Sequence, residues 1–367
     1  MSNITETTAS ADQIIVTLNL IQVNMGRYLY PIIFSLGNIG SILNILILTQ
    51  RVYLQNSCSC YILASSIINL FIVNIVIFFH MLAFGFSIDP TTTSFFFCRF
   101  RQYISHVTTL LSKIYIVLAC IDRWAMTSTN VRRRAFSRVK IAKIIIPSVG
   151  ISWFIISLHI PLNHFIVNGR CMVVLRVYSI FYNIYNTVLS GFLIPILMIV
   201  FGFLTIRNIK LSRQRVNVQV NMNRIFTNQR QGKNNTKSRD YEILIMILVQ
   251  LSVYLITCLP FPMYLVYSTI TIQWTKSSVQ LAIDRFYSSL TVALTNINFS
   301  TTFYIYVLTT RVFRKDLKRI LVEKRLFKMC FGTQLVPPIM RTNNGTIGTV
   351  AVVMRQPKPC NIQSRKY

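Results

Sequence analysis

The chain has 367 residues, 53% of them hydrophobic and only 13% charged, with a mean hydropathy of +0.52. A soluble domain this apolar would be hard to keep in water, so the composition excludes an ordinary soluble domain and points to an integral membrane protein. Lysine and arginine number 38 against nine acids, a formal net charge of +29, but the cations fall between apolar runs, which is the pattern of membrane-protein loops and not of a nucleic-acid surface.

Residues 1–26 are polar and Thr-rich and are expected to form a disordered extracellular tail. They lack the basic start, apolar block and small-residue cleavage site of a signal peptide, so the first membrane helix is expected to act as its own insertion signal. Asn3-Ile4-Thr5 is an N-glycosylation triplet, usable if this end lies outside.

Seven apolar stretches follow, at Tyr28–Thr49, Cys60–Phe86, Phe95–Ile121, Val139–Leu162, Tyr178–Ile206, Tyr241–Ile270 and Val279–Leu308. Each is long enough to cross a hydrocarbon layer of ~30 Å as a helix. The expected fold is an all-α membrane protein with a seven-transmembrane helix bundle over residues 27–310. The third stretch organises the rest: it opens with Cys98, Arg99 and Arg101, carries a single mid-span charge at Lys113, and closes on Asp122-Arg123-Trp124.

The gaps alternate in charge. With Arg123, the first, third and fifth gaps and the C-terminal tail hold 30 of the 38 cations, and the other side holds seven. The positive-inside rule places the heavy side in the cytoplasm. This predicts a multi-pass plasma-membrane protein, N-terminus extracellular and C-terminus cytoplasmic, as an odd number of spans requires. The gap over 207–239 is basic and Asn/Gln-rich and is expected to be a flexible cytoplasmic loop. After the last span, Val312, Phe313, Leu317, Ile320, Leu321 and Leu326 can share one helical stripe flanked by Arg314, Lys315, Lys318 and Arg319. That pattern predicts a short amphipathic helix over 311–330 lying on membrane lipid, each cation near anionic lipid contributing about 1 kcal/mol. Cys330 closes it as a candidate palmitoylation site or a plain thiol, and 331–367 form a cytoplasmic tail.

Taken in order, these features resemble the rhodopsin-like (class A) G protein-coupled receptors over roughly residues 28–330. Asp122-Arg123-Trp124 is similar to the Asp-Arg-Tyr motif that closes that family's third helix. Cys98 lies 25 residues before Arg123, where the family keeps a disulfide cysteine, and Cys171 in the next outer loop takes the place of its partner. Trp153, Pro195 and Pro260 fall mid-helix in the fourth, fifth and sixth spans, and Phe313-Arg314 follows Tyr306 at the family's spacing for an eighth helix. There are departures too. Asn69 stands where the family's sodium site has aspartate, with Ser112 and Asn298 still matching polar partners. The sixth-helix motif is reduced to Thr257-Cys258-Leu259-Pro260 without its tryptophan, and the seventh keeps only Tyr306 of its Asn-Pro-x-x-Tyr. The resemblance is to a divergent member.

The resemblance implies a Cys98–Cys171 bridge pinning the second outer loop, against the alternative of two free thiols. It also implies that Arg123, beside Asp122, pairs with Asp240 (or Glu242) at the inner end of the sixth helix. Breaking that pair and swinging the helix about Pro260 and Pro262 would open a cleft for a heterotrimeric G protein; the bland alternative is that these charges snorkel to the interface. Lys113 has no carboxylate level with it and is expected either to be neutral, its pKa lowered by burial, or to sit in a local polar network with Asn69, Asn298 or backbone carbonyls; the functional alternative is an anion or signalling role. Cys58, Cys60, Cys120 and Cys258 read as packing residues.

The expected ligand is extracellular, a peptide or another small molecule. Ser105 stands where an amine receptor would place an acid, and Asn296 where a retinal-binding opsin would place a lysine. The outer half carries Arg101, Gln102, Ser105, His106, Arg176, Tyr182, Phe261, Tyr264 and Tyr287, an aromatic and cationic set that suits a peptide or acidic ligand. The four histidines lack metal-ligand spacing, and no nucleophile motif or phosphate loop appears, so neither metal, cofactor nor enzyme chemistry is expected. Two alternatives remain: a chemosensory receptor of the same fold, and a transporter or channel with a polar lane through Asn69, Lys113 and Asn298.

Overall fold

The computed structural model describes the backbone of residues 2–167, 169–223 and 234–332, and side chains over 11–167, 169–211 and 245–320 together with Val322. Asn3, Asp240, Glu242 and Cys330 therefore lie outside the described side chains, and so do the expectations placed on them.

The described residues are helical almost throughout. The principal helices are α1 (Ser2–Asn24), α2 (Tyr30–Leu48), α3 (Ser57–Phe71), α4 (Phe78–Phe86), α5 (Phe95–Thr127), α6 (Val139–Ile156), α7 (Arg176–Asn186), α8 (Ile194–Asn223), α9 (Asn234–Cys258), α10 (Pro260–Ile270), α11 (Ser278–Thr309) and α12 (Arg311–Gly332). Three pairs run on through π-helical turns, at Met25–Leu29, Ile72–Ile77 and Thr187–Leu193. One short hairpin, β1 (His164–Val167) and β2 (Arg170–Val173), pairs antiparallel with Ile166 opposite Cys171.

Among the described residues six helices are long and apolar enough to cross a membrane: Ala11–Leu48, Ser57–Phe86, Phe95–Thr127, Val139–Leu162, Arg176–Leu211 and Ile245–Gln273. The protein is thus a multi-pass, all-α membrane protein. α11 is 32 residues long but less apolar. Its polar residues are turned inward: Thr291, Asn296, Asn298, Ser300 and Thr302 are all buried. Thr295, Thr301 and Thr309 bond back to carbonyls four residues earlier, so their hydroxyls are satisfied within the helix.

Residues 1–26 differ from the expected disordered tail. They are helical from Ser2, and the first apolar helix begins at Ala11, well before Tyr28. The stretch from Ile14 to Val23 is rich in Ile, Leu and Val, and this apolar run extends the helix outward.

Local chemistry sets the element ends. The Asn56 side chain caps α3 by accepting from the Cys58 amide at 3.1 Å, and Ser277 caps α11 by accepting from Gln280 at 3.2 Å. Ser87 adopts a left-handed conformation, φ 59°, and ends α4. Pro260 and Pro262 separate α9 from α10, since neither ring nitrogen can donate to the helix ladder. α5 is the central helix, with 67% of its apolar window buried against 11% for the helix beginning at Val139. It packs most extensively on α3 and α8, and Cys98 and Arg123 lie at its two ends.

Candidate functional site

Cys98 and Cys171 form a disulfide, with Cα atoms 5.6 Å apart. The bridge ties β2 to the start of α5. Beside it, Arg99 Nε donates to the His164 carbonyl at 3.3 Å and the guanidinium lies over the Phe165 ring. His164 is buried, its Nδ1 is 2.8 Å from the Ile160 carbonyl oxygen, and burial pushes its pKa below the ordinary value, with the Ile160 bond partly opposing.

Near this end of the bundle lies a cavity of about 180 Å³. α5 supplies Gln102, Ser105, His106 and Lys113 to its wall, and Tyr182 from α7 and Phe261 from α10 close the opposite side. His106 is held by rings, 5.7 Å from Tyr182 and 5.6 Å from Tyr185 between centroids. So Gln102, Ser105, His106, Tyr182 and Phe261 line one cavity.

Four expected pocket residues do not line this cavity. Arg101 is engaged with Asp89 at 3.0 Å. Arg176 is exposed at the start of α7. Tyr264 and Tyr287 pack on each other, centroids 6.0 Å apart. Close by in sequence, Lys276 pairs with Asp284 and sits over the Tyr267 ring. Partial desolvation lowers the Lys276 pKa, but the hydrogen bond and charge of Asp284 outweigh it and hold the ammonium above the ordinary lysine value. In place of those four, the cavity gains His80, Asn186, Thr295 and Asn296. Helical spacing was the available signal for one of them, since Asn186 is four residues beyond Tyr182; it was also the signal for Thr109, another wall residue, four beyond Ser105.

Below lies a second cavity of about 20 Å³, room for about one water. Asn69, Ser112, Lys113 and Asn298 all line it, so the expected polar core is brought together. Ser112 donates to Asn69 Oδ1 at 2.6 Å, and Asn298 Nδ2 donates to the Thr257 hydroxyl at 3.1 Å. Lys113 lines both cavities. It does not bond to Asn69 or Asn298 as expected; its ammonium lies 5.3 Å from the Tyr254 ring centroid. Tyr254 is fixed by donating its hydroxyl to the Ser190 carbonyl at 2.6 Å. Ring and ammonium face each other because Lys113 projects from α5 toward α9, whereas Asn69 is taken by Ser112 on the α3 side.

At the far end of α5, Arg123 is buried, 3.7 Å from Asp122 and hydrogen-bonded to Asn56 Oδ1. Trp124 packs on Phe201 at 5.3 Å and lies under the Arg133 guanidinium. Tyr306 is buried against Phe313 of α12 at 5.9 Å, and Phe313, Leu317 and Ile320 seat the first turns of α12 on the core. Tyr53 donates to Asp316 at 2.6 Å in the same region. Among the described residues no group of three His, Cys, Asp or Glu side chains gathers as a metal site. Cys58, Cys60, Cys120 and Cys258 are buried and outside the disulfide.

The chain matches no model of a known protein family and no curated protein.

Proposed function

We propose that this protein is a seven-span receptor of the rhodopsin-like type. In this reading α11 is the seventh span and α12 the amphipathic eighth helix. A ligand enters from the extracellular side into the cavity beside the disulfide-pinned hairpin, and a heterotrimeric G protein engages the Arg123 end. The observation that carries the reading is α5 itself. One helix bears the bridged Cys98 at one end, the cavity wall along its middle, and the buried Asp122–Arg123 pair at the other. A ligand acts on such a bundle only by binding one of its arrangements better than the other. Arg123 held by Asp122 and Asn56 is the closed arrangement, and Asp240 on α9 is the proposed further partner whose release lets α9 swing about the Leu259–Pro260 break.

The test is G protein activation without added ligand in cells expressing wild type, Arg123→Ala and Asp240→Ala at matched surface levels. Asp240→Ala is expected to raise basal activation several-fold and Arg123→Ala to remove it. Silence of all three at equal surface expression would count against a signalling receptor.

A further inference from the structure

The floor of the larger cavity is a buried lysine. Lys113 is 8% exposed, and among the described residues no carboxylate lines that cavity or the smaller one beneath it. Nearly all described carboxylates are engaged elsewhere: Asp89 with Arg101, Asp122 with Arg123, Asp284 with Lys276 and Asp316 with Arg319. Asp12 lies near the start of the chain, in α1. Glu242 precedes Tyr254 by 12 residues, which on a helix is ~18 Å further toward the Arg123 end. The contact the amine does make, with the Tyr254 ring, is weak beside the cost of burying an ammonium without a counter-charge. An anion seated against Lys113 would supply that counter-charge.

The walls point the same way. His80 Nδ1, His106 Nε2 and Asn296 Nδ2 are buried, line the same cavity and have no hydrogen-bond partner among the described residues. His106 stands seven residues before Lys113 on α5, two turns or ~10 Å above it on the same face. The rest of the lining is mixed: Val76, Leu110, Phe261 and Val292 supply apolar wall, and serine, threonine and amide side chains stand between them. The cavity measures about 180 Å³, room for a body about the size of one aromatic ring.

We propose that this cavity binds a small organic anion, a monocarboxylate with an apolar body about the size of one aromatic ring. Its carboxylate sits on Lys113, its body packs against Phe261 and Val292, and the polar atoms of His80 and His106 above bind whatever polar group the ligand carries at its other end. The inference rests on the reading of this cavity as the ligand site and specifies the ligand's class: the acid group is the anchor.

The test is direct binding to the purified full-length chain in lipid nanodiscs, by titration calorimetry, with benzoate and its uncharged counterpart benzamide. Benzoate is expected to bind saturably and about tenfold or more tighter than benzamide. Lys113→Met should erase the preference and Lys113→Arg should keep most of it. If Lys113→Met does not fold, Lys113→Gln carries the test: a neutral polar side chain of similar reach should likewise erase the preference for benzoate over benzamide. Equal affinities, no saturable binding of either compound up to roughly 10 mM, or a preference that survives Lys113→Met would overturn the proposal. G protein activation is measured separately. Benzoate bound without signalling leaves the anion site standing and counts against the receptor. Signalling in response to some other ligand, with no carboxylate preference, does the reverse.

Discussion

His164 shows how much one side chain at the hairpin controls. Its ring is buried, edge-on to Tyr182, and tied to the Ile160 carbonyl. Burial disfavours the charged form, so the folded chain binds a proton less readily than the unfolded chain. The neutral ring's contribution to stability is therefore complete above the ordinary histidine value of ~6.5 and is lost progressively as pH falls below it. Thermal unfolding of the purified protein is expected to shift down between about pH 7 and pH 5, and His164→Gln should flatten part of that slope; an unchanged slope would remove His164 from the explanation. At this scale the sequence showed which residues carry charge but not what they face. Lys113 was visible as a lone cation among apolar neighbours. Its ring, Tyr254, is 141 residues away, and only the packing of α5 against α9 brings the two together. Arg101 misled for the same reason, since Asp89 lies 12 residues earlier across a turn and takes up its charge.

At the scale of elements, Gly26 and Gly85 bring two backbones into close approach. A Cβ on Gly85 would lie 2.8 Å from the Gly26 carbonyl carbon, and one on Gly26 would run into the Gly85 backbone. Arg27 Nε bonds the Gly85 carbonyl at 2.9 Å across the same contact. Both obstacles are backbone, so neither can rotate away, and small residues at such crossings let membrane helices meet. Gly26→Ala and Gly85→Ala are each expected to cost about 1–3 kcal/mol or more through overpacking. Gly202→Ala serves as the control, because a Cβ there meets the flexible Leu248 side chain at an ordinary 3.5 Å. Thermal unfolding read with a thiol-reactive dye, using the buried cysteines as reporters, should separate the first two from the third. Comparable unfolding of all three would mean the crossing gives way more easily than its geometry implies. The elements the sequence hid were the short and the mixed. A four-residue strand is too brief for an alternation signal, and only Asn168-Gly169 in the sequence hinted at the hairpin that carries Cys171.

For the molecule as a whole, hydropathy reads spans well where the helix faces lipid and poorly where it faces protein. The stretch beginning at Val139 was plain in the sequence because lipid accepts only apolar groups and most of that helix is uncovered. α11 is harder to read because its polar residues point into the bundle, where hydrogen bonds offset their cost. The number of spans and the sides of the termini are one question. Six spans put both ends of the chain on the same side, and seven put them on opposite sides. The cation imbalance, 30 on one side against seven on the other, favours the split only if α11 crosses. Epitope tags at the two termini, stained before and after permeabilisation of the plasma membrane, decide it. The amino-terminal tag is expected to stain intact cells and the carboxy-terminal tag only permeabilised ones. Loss of the Asn3 glycan in Asn3→Gln, seen as a mobility shift, should agree with the first result. If both tags stain on the same side, α11 does not span, and a G protein at the Arg123 end loses the seventh helix that the proposed receptor requires.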